Sequence, residues 1–198
     1  MVNYQRLLDT FLELIQTDSP SGEEEAVAEL LVLRLSQLGF SVRRDDYGNV
    51  IARVGGKGVP LMLSAHMDTV EPGRGIRPQV DGDRIVSDGT TVLGGDPKSG
   101  VAGILEGLAV AKETAFLPPL EVVFTRQEEI GLIGARNLDY SLIEATEAVV
   151  FDGAGPVQQV TNASPSYLGI NVSIVGQAAH AGVEPEKGVS AIKPLAEL

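Results

Sequence analysis

The chain is predicted to fold as an α/β protein on a mixed sheet, and three observations lead there. Short apolar, β-branched runs recur along the sequence at Val50–Val54, Leu61–Ser64, Leu120–Thr125 and Ala148–Phe151. Longer segments with apolar residues at helical spacing lie before and between them. The 198 residues are 43% hydrophobic, enough to bury a sizeable core.

The first helix is expected over Tyr4–Gln16, where Leu7, Leu8, Phe11, Leu12, Leu14 and Ile15 keep helical spacing. Thr17-Asp18-Ser19-Pro20-Ser21-Gly22 then ends it. A second helix starts just beyond. Ser21 followed by Glu24 has the form of a capping box, and Ala26, Leu30, Leu31, Leu33, Leu35 and Leu38 supply a buried stripe until Gly39.

Strands are read at Phe40–Arg44, Val50–Val54 and Leu61–Ser64, separated by the turns Asp46-Tyr47-Gly48-Asn49 and Gly55-Gly56-Lys57-Gly58. The third is the most apolar and is expected at the centre of the sheet. A Gly/Pro-rich stretch from Glu71 to Gly82 and a short segment, Arg84–Ser87, follow. The turn Leu93-Gly94-Gly95-Asp96-Pro97 then opens a helix from Lys98 to about Lys112. Its Gly100, Ala102, Gly103 and Gly107 are expected to let it lie close on the sheet.

Leu120–Thr125 reads as a strand, Gly134–Leu138 as a short helical turn, and Ala148–Phe151 as another buried strand ending at Asp152-Gly153. From Val160 the pattern changes. Tyr167–Val175 alternates like a strand, Gly176 to Gly182 interrupts it, and a helix begins at Ser190 and runs to Leu198. Residues 1–162 are therefore read as one domain and 163–198 as the beginning of a second.

With no cysteine, the chain has neither disulfides nor thiolate metal sites, so a metal would be held by His, Asp and Glu. The 27 acidic and 15 basic residues give a formal charge of −12, which disfavours nucleic acid and anionic membranes as partners. No apolar run approaches the roughly 18 residues of a membrane helix. The start, Met1 to Arg6, lacks a basic region followed by an apolar one, so the cytoplasm is the expected compartment.

His66 and Asp68 close the apolar segment Val59–Leu63 two residues apart, a spacing that points both side chains the same way in extended chain. A carboxylate beside an imidazole fixes its tautomer, as metal-bound histidines require. With only two histidines in the chain, His66 and His180, a plain hydrogen-bonded histidine is the alternative on this spacing alone. Asp96, Glu128/Glu129 and Asp152 also follow an apolar strand or a glycine turn, where open α/β sheets place their sites. Singly, each can be a polar turn or an N-cap. Jointly they favour a metal site.

Ser64–Val70, Leu93–Gly100, Gln127–Gly131, Phe151-Asp152-Gly153 and Gly176–Ile192 resemble, in order, the motifs of the M20 family of dinuclear zinc peptidases, specifically its peptidase T-like branch of tripeptide aminopeptidases. The resemblance implies a three-layer αβα catalytic domain joined to a smaller α+β lid and dimerisation domain. It implies two divalent ions, zinc foremost, with cobalt or manganese as alternatives. His66 and Asp152 would hold one ion, Asp96 would bridge, Glu129 would hold the other, and Asp68 would orient His66. Glu128 would be the general base and His180 would polarise the scissile carbonyl. A short peptide would be the substrate, and a homodimer could form through the lid. An N-acyl amino acid deacylase, a dipeptidase or a non-catalytic fragment are the rival readings.

Two departures stand out. Pro97 follows the bridging aspartate where the family commonly has an acidic residue or asparagine, with a cis peptide between the two. X-Pro bonds tolerate cis far better than others, so Asp96-Pro97 is expected cis, with a trans proline opening the next helix as the alternative. Set against the family's length, the chain is expected to be about half a member, without its last metal-binding histidine; one metal should then bind better than two.

Overall fold

The computed structural model describes every residue except 164, 165, 167 and 198. It divides into two compact units, Met1–Val157 and Gln158–Leu198.

In the first unit, helix α1 (Tyr4–Gln16) starts at Asn3, whose side chain caps the Arg6 N–H. Helix α2 spans Glu25–Gln37. Strands β1 (Ser41–Arg44), β2 (Val50–Val54) and β3 (Leu61–His66) follow, then a hairpin of β4 (Pro78–Asp81) and β5 (Arg84–Ser87). Helix α3 (Gly95–Glu113), strand β6 (Leu120–Thr125), the short helix α4 (Ile133–Arg136) and strand β7 (Glu147–Val150) complete it.

The five-stranded sheet has the order β1-β2-β6-β3-β7. β1, β2 and β6 pair antiparallel, whereas β3 lies parallel to both β6 and β7, so the sheet is mixed as expected. β6, not β3, is central. Its Glu121 disguises this in the sequence: the side chain is buried, accepts the Glu144 and Ala145 N–H groups and pairs with Arg53 at 3.0 Å.

Period-2 alternation sorts the strand residues between two faces. Val50, Ala52, Val54, Ala65, Val122 and Phe124 pack against α1, α2 and α3 in the main core. Ile51 and Val123 point the other way, where Leu138, Leu142 and Ile143 form a thinner cover. β7 departs from expectation, since all of its residues are exposed. Among the described residues it is an edge strand, paired with β3 alone.

Within α3, Gly100 is the glycine that a close approach requires: a β-carbon there would stand 2.5 Å from the Phe151 carbonyl oxygen. Gly103 and Gly107 meet nothing within 4 Å, so the small-residue reading fails for them. Asp96-Pro97 is cis as expected, and Glu71-Pro72 is a second cis bond that the sequence did not suggest.

The second unit is held by an antiparallel bridge between Gln177 and Val189, with a 3-10 turn at Pro185–Lys187 and a four-residue helix α5 (Ile192–Leu195). The strand expected from Tyr167 to Val175 is not formed among the described residues, and Tyr167 itself lies outside them. The helix expected from Ser190 shortens to α5, with Leu198 outside the described residues. No described helix is long and apolar enough to cross a membrane.

Candidate metal centre

Because β3, β6 and β7 run parallel, their C-terminal ends open on one side, with His66 in register with Thr125 and Ser64 with Val150. The chain leaving each strand carries Asp68, Glu128/Glu129 and Asp152, respectively. Asp96 joins them from the first turn of α3. This is the crevice beyond the strand ends where open α/β sheets build their sites.

The arrangement centres on the buried imidazole of His66. Its Nδ1 lies 3.1 Å from Asp68 Oδ1, which leaves Nε2 facing the other carboxylates. Nε2 is 3.4 Å from Asp96 Oδ1, 3.7 Å from Asp152 Oδ1 and 3.9 Å from Glu128 Oε2. Ligand atoms gather in two groups that share His66: one with Glu128 and Asp152, the other with Asp96 and Glu129. Each of these side chains therefore sits where a cation could meet it. The first group includes Glu128, which the sequence reading kept off the metal.

Asp68 is wholly buried and fully engaged. It accepts the Ser21 hydroxyl at 2.6 Å and the backbone N–H groups of Glu128 at 2.9 Å and Glu129 at 3.2 Å. Burial pushes its carboxyl up, but the bonds to His66, Ser21 and Glu128 outweigh that and hold it down at about 2. It stays an anion beside His66. Burial also disfavours a charged His66, yet Asp68 and the nearby Asp152 and Glu128 raise its pKa overall.

Asp152 and Glu129 shift the other way. Asp152 is pushed up to about 6 by burial and by the neighbouring Asp96 and Glu128, against the pull of His66. Glu129 rises too, first through burial and then through Asp96, Glu128 and Asp68. Crowding around one imidazole thus raises the proton affinity of Asp152 and Glu129, and a cation would compete with those protons. One nitrogen and several hard oxygens, with the second imidazole nitrogen anchored by a carboxylate, form a donor set that suits a hydrolytic divalent ion.

His180 lies in the second unit, in a turn where its Nδ1 accepts the Gly182 N–H at 3.2 Å and its carbonyl accepts the N–H groups of Val183 and Glu184.

Sequence reasoning missed the frame around the site, and misread part of it. Ser21 and Glu24 do not form a capping box: Glu24 is the α2 N-cap residue without a side-chain cap bond, and the Ser21 hydroxyl goes to Asp68. Ser19 straps the same turn, its hydroxyl on the Met67 carbonyl at 3.0 Å and its own carbonyl accepting the Thr69 N–H at 2.9 Å. Lys98 is buried, with Nζ donating to the Thr17 carbonyl at 3.1 Å. Burial lowers its pKa to about 8 even though Asp18 and Asp68 favour the charge. Only the lysine's place directly after Asp96-Pro97 could have hinted at this.

A mixed α/β sheet with such a cluster at its strand ends has the architecture of a peptidase catalytic domain. The chain belongs to peptidase family M28, whose sequence model matches residues 49–161. That family shares a clan with M20, which the motifs resemble. The fold superposes on a tripeptidase from Staphylococcus aureus with TM-score 0.80 at 33% identity, covering 100% of this chain and 56% of that one. It superposes on the aminopeptidase PepT of Bacillus cereus with TM-score 0.77 at 36% identity, covering 98% and 56%. Uncharacterized protein YqjE of Bacillus subtilis is 41% identical over 97% of this chain and 55% of its own length. The chain thus spans about half the length of the curated relatives it matches.

Proposed function

We propose that this protein is a metal-dependent hydrolase of short peptides, an aminopeptidase of the tripeptidase kind. The observation that carries the reading is the meeting of two groups of potential ligands at His66. The names of the two similar solved structures, a tripeptidase and an aminopeptidase, favour peptides with a free N-terminus. The motif order favours the peptidase T-like branch of M20 within the clan.

In this reading His66 and Asp152 would hold one divalent ion, Glu129 the other, and Asp96 would be shared between the two, with zinc the first candidate and cobalt or manganese next. Bound ions would polarise a peptide carbonyl and acidify a water. Asp68 keeps the His66 imidazole in one tautomer and orientation. Glu128 is the general base, moving a proton from the attacking water towards the leaving amine. His180 is assigned the scissile carbonyl oxygen. The reading also expects the cytoplasm as compartment and a homodimer through the second unit.

The test is hydrolysis by the zinc- or cobalt-supplied chain of tripeptides with a free N-terminus, beside N-acyl amino acids. Release of N-terminal residues, lowered about 10²–10⁴-fold by Glu128→Gln, is expected. Activity confined to N-acyl substrates, or hydrolysis unchanged by Glu128→Gln, would overturn the assignment.

A further inference from the structure

We propose that Glu24 is a positioning residue for the loop Gln127–Glu129, which carries the proposed base and a proposed metal ligand. Glu24 is fully buried at the start of α2, yet its carboxylate makes no bond to that helix's first turn. Both oxygens are committed elsewhere. Oε1 accepts the N–H groups of Gly22 at 2.8 Å and of Gln127 at 3.1 Å, and Oε2 accepts Arg126 Nε at 2.8 Å. Arg126 also donates to the carbonyls of Tyr47 at 3.1 Å and Gly22 at 3.2 Å, so the guanidinium is locked from several sides.

The neighbouring amides continue the pattern. The N–H groups of Glu128 and Glu129 end on Asp68. Three successive backbone N–H groups, 127 to 129, are therefore held by two buried carboxylates, Glu24 and Asp68. Gln127 has φ +54°, a left-handed conformation that a non-glycine residue keeps only where its surroundings hold it there. The Glu24 carboxylate on its N–H, with the Tyr47 hydroxyl on its side chain, supplies that hold. A buried carboxylate is an expensive way to fill space, and here it fixes the direction in which the two glutamates leave the backbone. Glu24 bonds to neither the Glu128 nor the Glu129 side chain and acts through the loop.

What the loop does rests on the proposed metallohydrolase function, whereas its geometry does not, and the experiment separates the two. Amide hydrogen exchange is measured on the metal-free full chain as wild type, Glu24→Gln and Glu106→Gln. The last is a control that breaks another buried carboxylate, which pairs with Arg6 and the Asn3 N–H. Exchange at Gln127, Glu128 and Glu129 is expected to speed up about tenfold or more in Glu24→Gln and to stay unchanged in Glu106→Gln. Cobalt titration of the same three proteins is expected to show affinity lowered about 10–100-fold by Glu24→Gln alone. Unchanged exchange at the three amides overturns the proposal, as does an equal effect from Glu106→Gln. If Glu24→Gln does not fold, Glu24→Asp, which keeps the charge but withdraws the oxygens by one carbon, is expected to give the same changes. A wild-type chain that binds no cobalt counts against the metallohydrolase reading, and the amide data then decide the positioning role by themselves.

Discussion

The Ser21 hydroxyl donates a 2.6 Å hydrogen bond to Oδ2 of Asp68, a carboxylate whose other oxygen lies 3.1 Å from the Nδ1 of His66. The loop between α1 and α2 thereby reaches the carboxylate that anchors the candidate metal ligand. Replacing Ser21 by Ala removes a donor from a buried anion, and bonds to charged groups are worth about 1.5–3 kcal/mol. Ser21→Ala is expected to lower unfolding free energy by about that amount and to raise the Asp68 pKa. Urea unfolding and carboxyl NMR titration check the two effects.

Gly100 and Gly103 are one helical turn apart and should respond in opposite directions. A β-carbon at Gly100 would meet the Phe151 carbonyl at 2.5 Å, and Asp152 is the next residue. Gly100→Ala is expected to cost about 1–3 kcal/mol of stability and to weaken metal binding by displacing Asp152. Gly103 faces open space inside α3, so Gly103→Ala should stabilise by about 0.5–1 kcal/mol with metal affinity unchanged. Thermal unfolding and zinc titration of both variants read this contrast.

The site residues set opposite pH dependences for the metal-free chain. Asp68, held at about 2, contributes stability above its unfolded pKa near 3.8, and this is lost as pH falls through about 2. Asp152, raised to about 6, contributes stability below pH 3.8 that is lost as pH rises through about 6. A divalent ion must displace the Asp152 proton below that pH, so metal affinity is expected to fall as pH drops through about 6. Urea melts across this range, with and without zinc, measure both trends.

What could be read from the sequence follows the range of the interactions involved. Helix α1 was legible because its apolar spacing and its stop at Thr17 are local, and the ligand candidates were legible because each directly follows a strand or turn. Ser21 and Glu24 were misread because S-x-x-E is a local helix-start signature, whereas their partners, Asp68, Arg126 and Gln127, lie far along the chain. The apolar composition of β7 signalled a strand but carried no information on what covers it. Glu121 hid the central position of β6, since a charged residue in a strand reads as solvent-facing unless its partners are known.

The most direct measurement is the zinc content of the folded chain after equilibration and removal of free metal, beside His66→Ala. At least one tightly held ion in the wild type, lost in His66→Ala, is the predicted result, because both groups of potential ligands pass through that imidazole. A wild-type chain without zinc, or a zinc content indifferent to His66, would contradict the assignment of this cluster as a metal centre.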